Sequence, residues 1–340
     1  MKQKLLLCAT LALAANSLSP IGWAQSPPSA AEEARHWLER MIQATQTLNY
    51  EGTFVYIQGP HVESMRIIHS STASGERQRL FSLNGPPREV VMVNNSIVCL
   101  LPQQQATFPG GDYQNSPFPV SIPRELGRLE NYYIFEILGQ DRIAGLETRV
   151  IAIKPRDAWR FGYRLWLDEQ NGMVLRSALL NEQGQPVEQL MFTDLQVKPH
   201  IDESAFQSSA LALNTAPASA NPINPNASPP AGEPIKESTW QAGSLPEGFV
   251  KVLHNRFTEA SGQHPTEHLV FSDSLATISV FLEKLEDDPP LLQGESRFGS
   301  MNAFGTVVAG HQVLVVGEVP AATVQRIAAS IQQVSKGDKP

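Results

Sequence analysis

His264-Pro265-Thr266-Glu267-His268 is the arrangement in this chain whose residue types and spacing come closest to a chemical motif. On a helix, H-x-x-E-H sets two imidazoles at i and i+4 on one face beside a carboxylate, a set able to hold zinc and activate its bound water. That chemistry needs the helix. Here Ala260-Ser261-Gly262 reads as loop, Pro265 permits at most a helix that starts there, and His268-Leu269-Val270-Phe271-Ser272 continues as a strand. Gly294-Glu295-Ser296-Arg297-Phe298-Gly299 has one residue too many for a G-x-S-x-G nucleophile turn, and no glycine-rich phosphate loop occurs. His36, His61, His69, His200, His254 and His311 stand alone, and Asp287-Asp288 before Pro289-Pro290 reads as a solvated turn. No catalytic residue, metal ligand or cofactor site is assigned from these residues. A binding protein is the better reading.

The elements that would carry a binding site begin after a segment expected to be removed. Met1-Lys2-Gln3-Lys4, an apolar run from Leu5 to Ala15, and Gly22-Trp23-Ala24 have the pattern of a secretory signal cut after Ala24. No later stretch approaches the ~20 apolar residues of a spanning helix, so a soluble, exported product is expected. Removing Lys2 and Lys4 moves the formal charge from −8 to −10, and so acidic a chain lacks the electrostatic footprint of a nucleic-acid binder. Basic residues cluster locally at Arg156, Arg160 and Arg164. Of the two cysteines, Cys8 falls in the signal, which leaves Cys99 without an intrachain partner in the apolar run Ile97–Leu101. The fold must therefore stand on packing. With 41% hydrophobic and 18% charged residues over 340 positions, there is apolar side chain enough for about two domains.

Ser29-Ala30-Ala31-Glu32 has the spacing of a capping box, and Ala34, Trp37, Leu38, Met41, Ile42 and Leu48 recur at helical intervals behind it. A helix is predicted from Ala30 to Thr47. The period then changes to two, predicting strands at Tyr50–Gln58, Glu63–His69, Gln78–Leu83, Glu89–Val93 and Ile97–Leu101. Tyr133–Leu138, Leu146–Lys154, Tyr163–Asp168, Met173–Asn181 and Val187–Val197 follow, with Asn171-Gly172 as the strongest hairpin signal. Strands joined by tight turns make an antiparallel meander, a curved sheet holding the helix against its inner face.

Between Pro102 and Pro123 five prolines, Gln103-Gln104-Gln105 and Gly110-Gly111 interrupt the pattern. Two readings are open for it: a surface excursion, or a lid whose Phe108, Tyr113 and Phe118 cover the sheet. Residues 204–232 are read as a stretch without charge, and six prolines fall between Pro217 and Pro234, the composition of a semi-extended linker. Beyond it Val250–Arg256, His268–Ser272, Ala276–Glu283, Arg297–Phe304 and Val313–Glu318 read as strands. Pro320 stands at a first helical position before a closing helix through Val334. The expected organisation is a signal peptide at 1–24, an N-terminal domain at 25–203, a Pro-rich linker at 204–234 and a C-terminal α+β domain at 235–335.

Ordered segments of the chain resemble a known family. Asn49-Tyr50-Glu51-Gly52-Thr53-Phe54-Val55-Tyr56 and the run from Gly75-Glu76-Arg77 to Gly85-Pro86-Pro87-Arg88-Glu89-Val90 are similar to the MucB/RseB family of periplasmic regulators of the envelope-stress sigma factor. So are Tyr163-Arg164-Leu165-Trp166-Leu167-Asp168, Leu245-Pro246-Glu247-Gly248-Phe249, Phe271-Ser272-Asp273-Ser274-Leu275-Ala276-Thr277 and Val316-Gly317-Glu318-Val319-Pro320. The resemblance implies an unclosed antiparallel barrel like those of the lipoprotein carriers LolA and LolB, with helices in its mouth, plus a smaller α+β domain. It implies binding to the periplasmic part of a transmembrane anti-sigma factor and protection of that part from regulated intramembrane proteolysis. Displacement by lipid or lipopolysaccharide is implied as well. A lipid or lipoprotein carrier is the alternative, because fold does not settle function. A homo-oligomer is left open.

Two sets of side chains are candidates for these roles. One helix covers a strip about 10 Å wide, while some eight strands at ~4.8 Å spacing present a wider face. Apolar sheet should remain uncovered, and Phe54, Tyr56, Phe81, Tyr133, Phe135 and Trp166 are candidates to line a lipid cavity there. Ordinary core packing is the competing role for each, and alternation lets only part of the set point inward. Phe249, Arg256, Phe257 and Phe271 are candidates for the partner surface, since aromatics and arginine dominate interface hot spots.

Overall fold

Ser29 opens the first helix, α1 (Ala30–Thr47), through the capping box its spacing predicts: its hydroxyl accepts from the Glu32 amide, and the Glu32 carboxylate accepts from the Ser29 amide at 2.7 Å. These bonds hold the Glu32 carboxyl below the usual carboxylate range. The computed structural model describes residues 29–94, 96–101, 104–108, 122–207, 233–235, 239–257, 265–285, 290 and 292–334. The expected export signal, much of the Pro102–Pro123 segment and most of the linker lie outside the described residues. Where the N-terminal domain meets the linker, Glu203 opens a short 3-10 turn, Glu203–Phe206, and pairs with Arg77 at 2.9 Å.

Eleven strands follow α1 in a single antiparallel sheet. They are β1 (Asn49–Gln58), β2 (His61–Thr72), β3 (Gly75–Ser82), β4 (Glu89–Val93), β5 (Ser96–Leu101), β6 (Gln104–Phe108), β7 (Tyr133–Ile143), β8 (Leu146–Pro155), β9 (Gly162–Asp168), β10 (Val174–Leu180) and β11 (Pro186–Lys198). Spatially β6 to β1 run as one meander and β7 to β11 as another, joined where β1 pairs with β11. Both β6 and β7 end as edges of that sheet, so it does not close. β6 is a strand that the sequence pattern did not predict, inside the proposed lid segment.

The buried stripe of α1 lies on one face of this sheet. Ala34, Trp37, Leu38, Met41 and Ile42 pack with Phe135, Ile151, Ile153, Leu165, Leu167 and Val174, and Leu126 and Leu129 of the 3-10 turn Leu126–Asn131 close the side. Arg40 lies 4.4 Å over the Trp37 ring and donates to the Glu169 and Gln170 carbonyls, fastening the helix to the β9–β10 turn. Tyr50, Phe54, Ile67, Leu190 and Phe192 continue the helix-side core under Ala44. The outer face has its own cluster of Ile143, Val150, Trp166, Leu175 and Ala178.

The second domain contains β12 (Glu233–Pro234), β13 (Trp240–Ala242), β14 (Val250–Phe257), β15 (Thr266–Ser272), β16 (Thr277–Lys284), β17 (Gly294–Phe298), β18 (Met301–Val308), β19 (His311–Gly317), helix α2 (Ala321–Ser330) and β20 (Ile331–Gln333). Seven strands pair in the order β12-β14-β15-β16-β19-β18-β17, and β13 pairs with β20 apart from them. Val324, Ile327 and Ala328 of α2 pack on Ile278, Val280, Val313 and Val315 of one sheet face.

Two predicted elements differ from what is found. Arg297–Phe304, read as one strand, is a hairpin: Gly299 at φ +61° and Ser300 turn the chain between β17 and β18. Apolar residues on both sides of that turn hid it. The closing helix stops at Ser330, with Pro320 as its N-cap, because Ile331–Gln333 finds strand partners in Trp240–Ala242. Backbone pairing over a long sequence separation outweighs the local helical period there.

Leu38 is wholly buried beneath the stripe. Leu38→Ala should cost about 2–5 kcal/mol, against under ~0.5 kcal/mol for an exposed position such as Glu33→Ala. Urea unfolding followed by circular dichroism would measure both.

Candidate functional site

The helix-side face of the large sheet is wider than α1, and part of the remainder is covered by the second domain. Beyond the strip under α1, Tyr133, Phe161, Tyr163 and Leu179 face that domain across a space of about 400 Å³. On the far side stand Leu275, Thr277, Ser279, Phe281, Met301, Val316 and Glu318. Ser279, Phe281 and Val316 lie on the face of the small sheet turned away from α2, since strand alternation commits Ile278, Val280 and Val315 to the core under that helix. The two sheets thus present inner faces to each other, with a largely apolar gap between.

Arg160 holds the domains at one end of this gap. Its side chain is fully buried, as is that of its partner Asp273 in the other domain. Nη1 donates to Asp273 Oδ2 at 2.6 Å, Nη2 to the Glu247 carbonyl at 2.6 Å, and Nε to Asp157 Oδ1 at 3.1 Å. The rings of Tyr132, Tyr133 and Phe249 surround the guanidinium, at 4.9, 5.6 and 5.1 Å. Asp273 is satisfied in turn: Oδ2 also accepts from the Tyr133 hydroxyl at 2.9 Å, and Oδ1 accepts from the Leu275 and Ala276 amides. Burial first, and then the Asp273 charge, push the Tyr133 phenol far above its usual range, so it remains a donor. Gly248, at φ +88°, brings its backbone so near Tyr132 that a Cβ there would meet the ring at 2.5 Å. Next to Arg160, the Trp159 carbonyl accepts from Thr323 and the Arg326 guanidinium lies 4.7 Å over the Trp159 ring.

At the other end, the β17–β18 turn reaches the large sheet. Ser300 Oγ lies 2.9 Å from Glu188 Oε2 on β11 and 2.5 Å from Glu318 Oε1, and Gln58 Nε2 donates to it at 3.1 Å.

The residues singled out in the sequence fall in different places. Four of the six cavity candidates share the helix side: Phe54 packs on Phe192 in the core, Tyr56 adjoins it, Phe135 lies under α1, and Tyr133 lines the interdomain space. Phe81 and Trp166 lie on the outer face, because Leu80, Leu165 and Leu167 take the helix-side positions next to them. Arg79 stacks 4.8 Å over Phe81, while Trp166 donates to Asp141 and lies under Arg176. In the second domain Phe249 touches both the core and Arg160, and Phe271 is core. Phe257 meets the edge of His268, which stacks on Phe281, and the half-exposed Arg256 pairs with Glu267 at 2.6 Å. Glu267 and His268 point to opposite faces of β15, so they do not form the helical constellation a zinc peptidase requires. Burial holds both His254 and His268 below the ordinary histidine value.

Sequence reasoning passed over Arg160 and Asp273 as site residues. An arginine between Trp159 and Phe161 in a connection between long strands was the available signal, but nothing in it names a partner 113 positions away.

Known proteins show the same layout. The MucB/RseB N-terminal domain family matches residues 33–210, and the MucB/RseB C-terminal domain family matches 234–332. The chain is 32% identical to the sigma factor AlgU regulatory protein MucB of Pseudomonas aeruginosa, over 92% of this chain and 95% of that one. It is 31% identical to the sigma-E factor regulatory protein RseB of Escherichia coli K12, over 89% and 92%. A solved complex of Pseudomonas aeruginosa MucA and MucB superposes with a TM-score of 0.70 at 28% identity, covering 89% of this chain and 99% of that one.

Removing one partner of a buried, hydrogen-bonded ion pair strands the other charge. Arg160→Met should therefore destabilise the protein by about 3–5 kcal/mol, whereas Arg35→Met, which removes exposed pairs to Glu39 and Glu130, should cost under ~1 kcal/mol. Urea titration with intrinsic fluorescence would distinguish these costs.

Proposed function

Because this chain belongs to the MucB/RseB family of sigma-factor regulatory proteins, we propose that it acts in the periplasm by binding the periplasmic part of a transmembrane anti-sigma factor. Bound there, it slows the first cut of that factor's regulated proteolysis, and a lipid or lipopolysaccharide releases it. The observation that carries the partner assignment is the extent of the match: both domains align with MucB, and MucB in the related structure is in complex with MucA. Export is supported by the N-terminal pattern, and among the described residues no helix is long and apolar enough to cross a membrane.

The interdomain joint gives this function a physical setting. Phe249 and the segments around Glu247 and Asp273 contribute to holding the domains together, so a partner segment that engages both domains also senses their disposition. Arg256 and Phe257 are the exposed or half-exposed members of the partner set and are the ones proposed to contact it. An acyl chain is proposed to occupy the space beside Tyr133. Its lining from Phe161, Tyr163, Leu179, Phe281 and Val316 is apolar, and each buried methylene contributes about 0.8 kcal/mol. A carrier of lipid or lipoprotein is the second reading, favoured by the same apolar gap.

Purified mature protein at saturating concentration should slow cleavage of the anti-sigma segment by the first protease, and equal rates with and without it would refute the assignment. A chain ending near Ser208 should lose most of its affinity for that segment in a calorimetric titration. In the same full-length complex, lipopolysaccharide should restore cleavage. Unchanged protection at saturating lipid would remove the lipid-release step and leave partner binding standing.

A further inference from the structure

The joint at the Ser300 end of the interdomain gap differs in kind from the one at Arg160, since it brings two acids together. Glu188 comes from β11 of the large sheet and Glu318 from the residue just after β19 in the small one, and both reach the same hydroxyl, Ser300 Oγ, at 2.9 and 2.5 Å. A serine hydroxyl has one hydrogen to donate and two lone pairs to accept with. Gln58 Nε2 fills one lone pair at 3.1 Å. The hydroxyl hydrogen can serve only one carboxylate, and Glu188 and Glu318 are also hydrogen-bonded to each other, a bond between two carboxyls that requires one of them to carry a proton. The hydrogen-bond count closes with one proton on the pair. It fails with none, because two ionised carboxylates have no hydrogen to share between them.

We propose that Glu188 and Glu318 are an acid latch between the domains, sharing one proton around Ser300 while the small sheet is docked on the large one and separating the two sheets when that proton leaves. The surroundings fit this role. Tyr56 of β1, whose hydroxyl bonds to Glu188, and Tyr163 of β9 both feel the charge of this pair; Glu63 of β2 adds negative charge near Tyr56, and Asp273 does so near Tyr163. None of these named groups is a cation. Arg297 on the same hairpin turns its guanidinium to the Gly299 carbonyl instead. Burial, followed by the Glu188 charge, raises the Glu318 carboxyl above its ordinary value of 4.5, while the bond from Ser300 opposes this. Gly299 shows how close the surfaces come: a Cβ there would meet the Gln58 side chain at 2.2 Å.

The direction of the pH effect follows from linkage. The docked form binds a proton that the separated form, with an ordinary Glu318 carboxyl, releases more readily. Docking is therefore favoured fully below 4.5 and loses that support as pH rises through the raised value of the docked form. Within that window the docked-to-separated ratio falls by up to about tenfold per pH unit for one proton. Separation would open the gap beside Tyr133, so the latch would tie access to that space to the acidity outside the cell's inner membrane.

Small-angle scattering of the full mature chain between pH 4 and pH 8, with no partner present, reads the docked fraction directly. The wild type should expand as pH rises, and Glu318→Gln, which keeps a donor without ionising, should stay compact at every pH. A wild-type radius of gyration that does not change with pH, or a parallel change in wild type and Glu318→Gln, would overturn the latch. If Glu318→Gln fails to fold by circular dichroism, Glu188→Gln asks the same question from the other domain and is judged by the same two outcomes.

Discussion

Burying a guanidinium without compensation would cost several kcal/mol, and this protein places one, Arg160, at the contact between its two domains. The cost is tolerable only because every component is present together: the Asp273 carboxylate, the Glu247 carbonyl, the Asp157 side chain and three aromatic rings. Asp157, Tyr132 and Tyr133 belong to the first domain, whereas Asp273, Glu247 and Phe249 belong to the second. Undocking thus breaks a set of mutually dependent contacts, which makes the docked arrangement specific in a way that apolar contact alone would not. The second domain takes part in building the site and is not simply tethered to the first.

The same constraint shapes the large sheet. One helix cannot cover the inner face of eleven strands, and α1 does not: its stripe protects the part formed by β7 to β10, and the small sheet stands over the ends of those strands. The small sheet can do this because α2 occupies only one of its faces and leaves Phe281 and Val316 on the other. Two half-covered sheets solve each other's exposure. Their surfaces do not mate completely, and a largely apolar gap remains between them.

On the proposed function, a domain contact composed of a few polar bonds around an apolar gap is a useful material. If such a contact exchanges between docked and undocked states, anything that binds one state better shifts the balance by its difference in affinity. A protein segment spanning both domains and a lipid entering between them would act on that one equilibrium.

Local chemistry was legible in the sequence where short-range physics decides. The Ser29–Glu32 box and the α1 stripe, the alternating strands, and the Asn171-Gly172 turn each depend on residues a few positions apart, and the structure has them in place. The family resemblance lay in ordered short segments, two of which, around Gly248 and Asp273, prove to be the second domain's side of the joint. What lay beyond reach were the choices made by distant partners. Alternation puts Leu165 and Trp166 of β9 on opposite faces without saying which face is which, so neither had a side until α1 was docked on Leu165. Arg160, Asp273, Glu188 and Glu318 are ordinary charged residues in the sequence. They become joints only because folding brings Arg160 to Asp273 across 113 positions and Glu188 to Ser300 across 112. Sequence order determined the elements; the burial of charge between two sheets, which no local pattern encodes, decided the site.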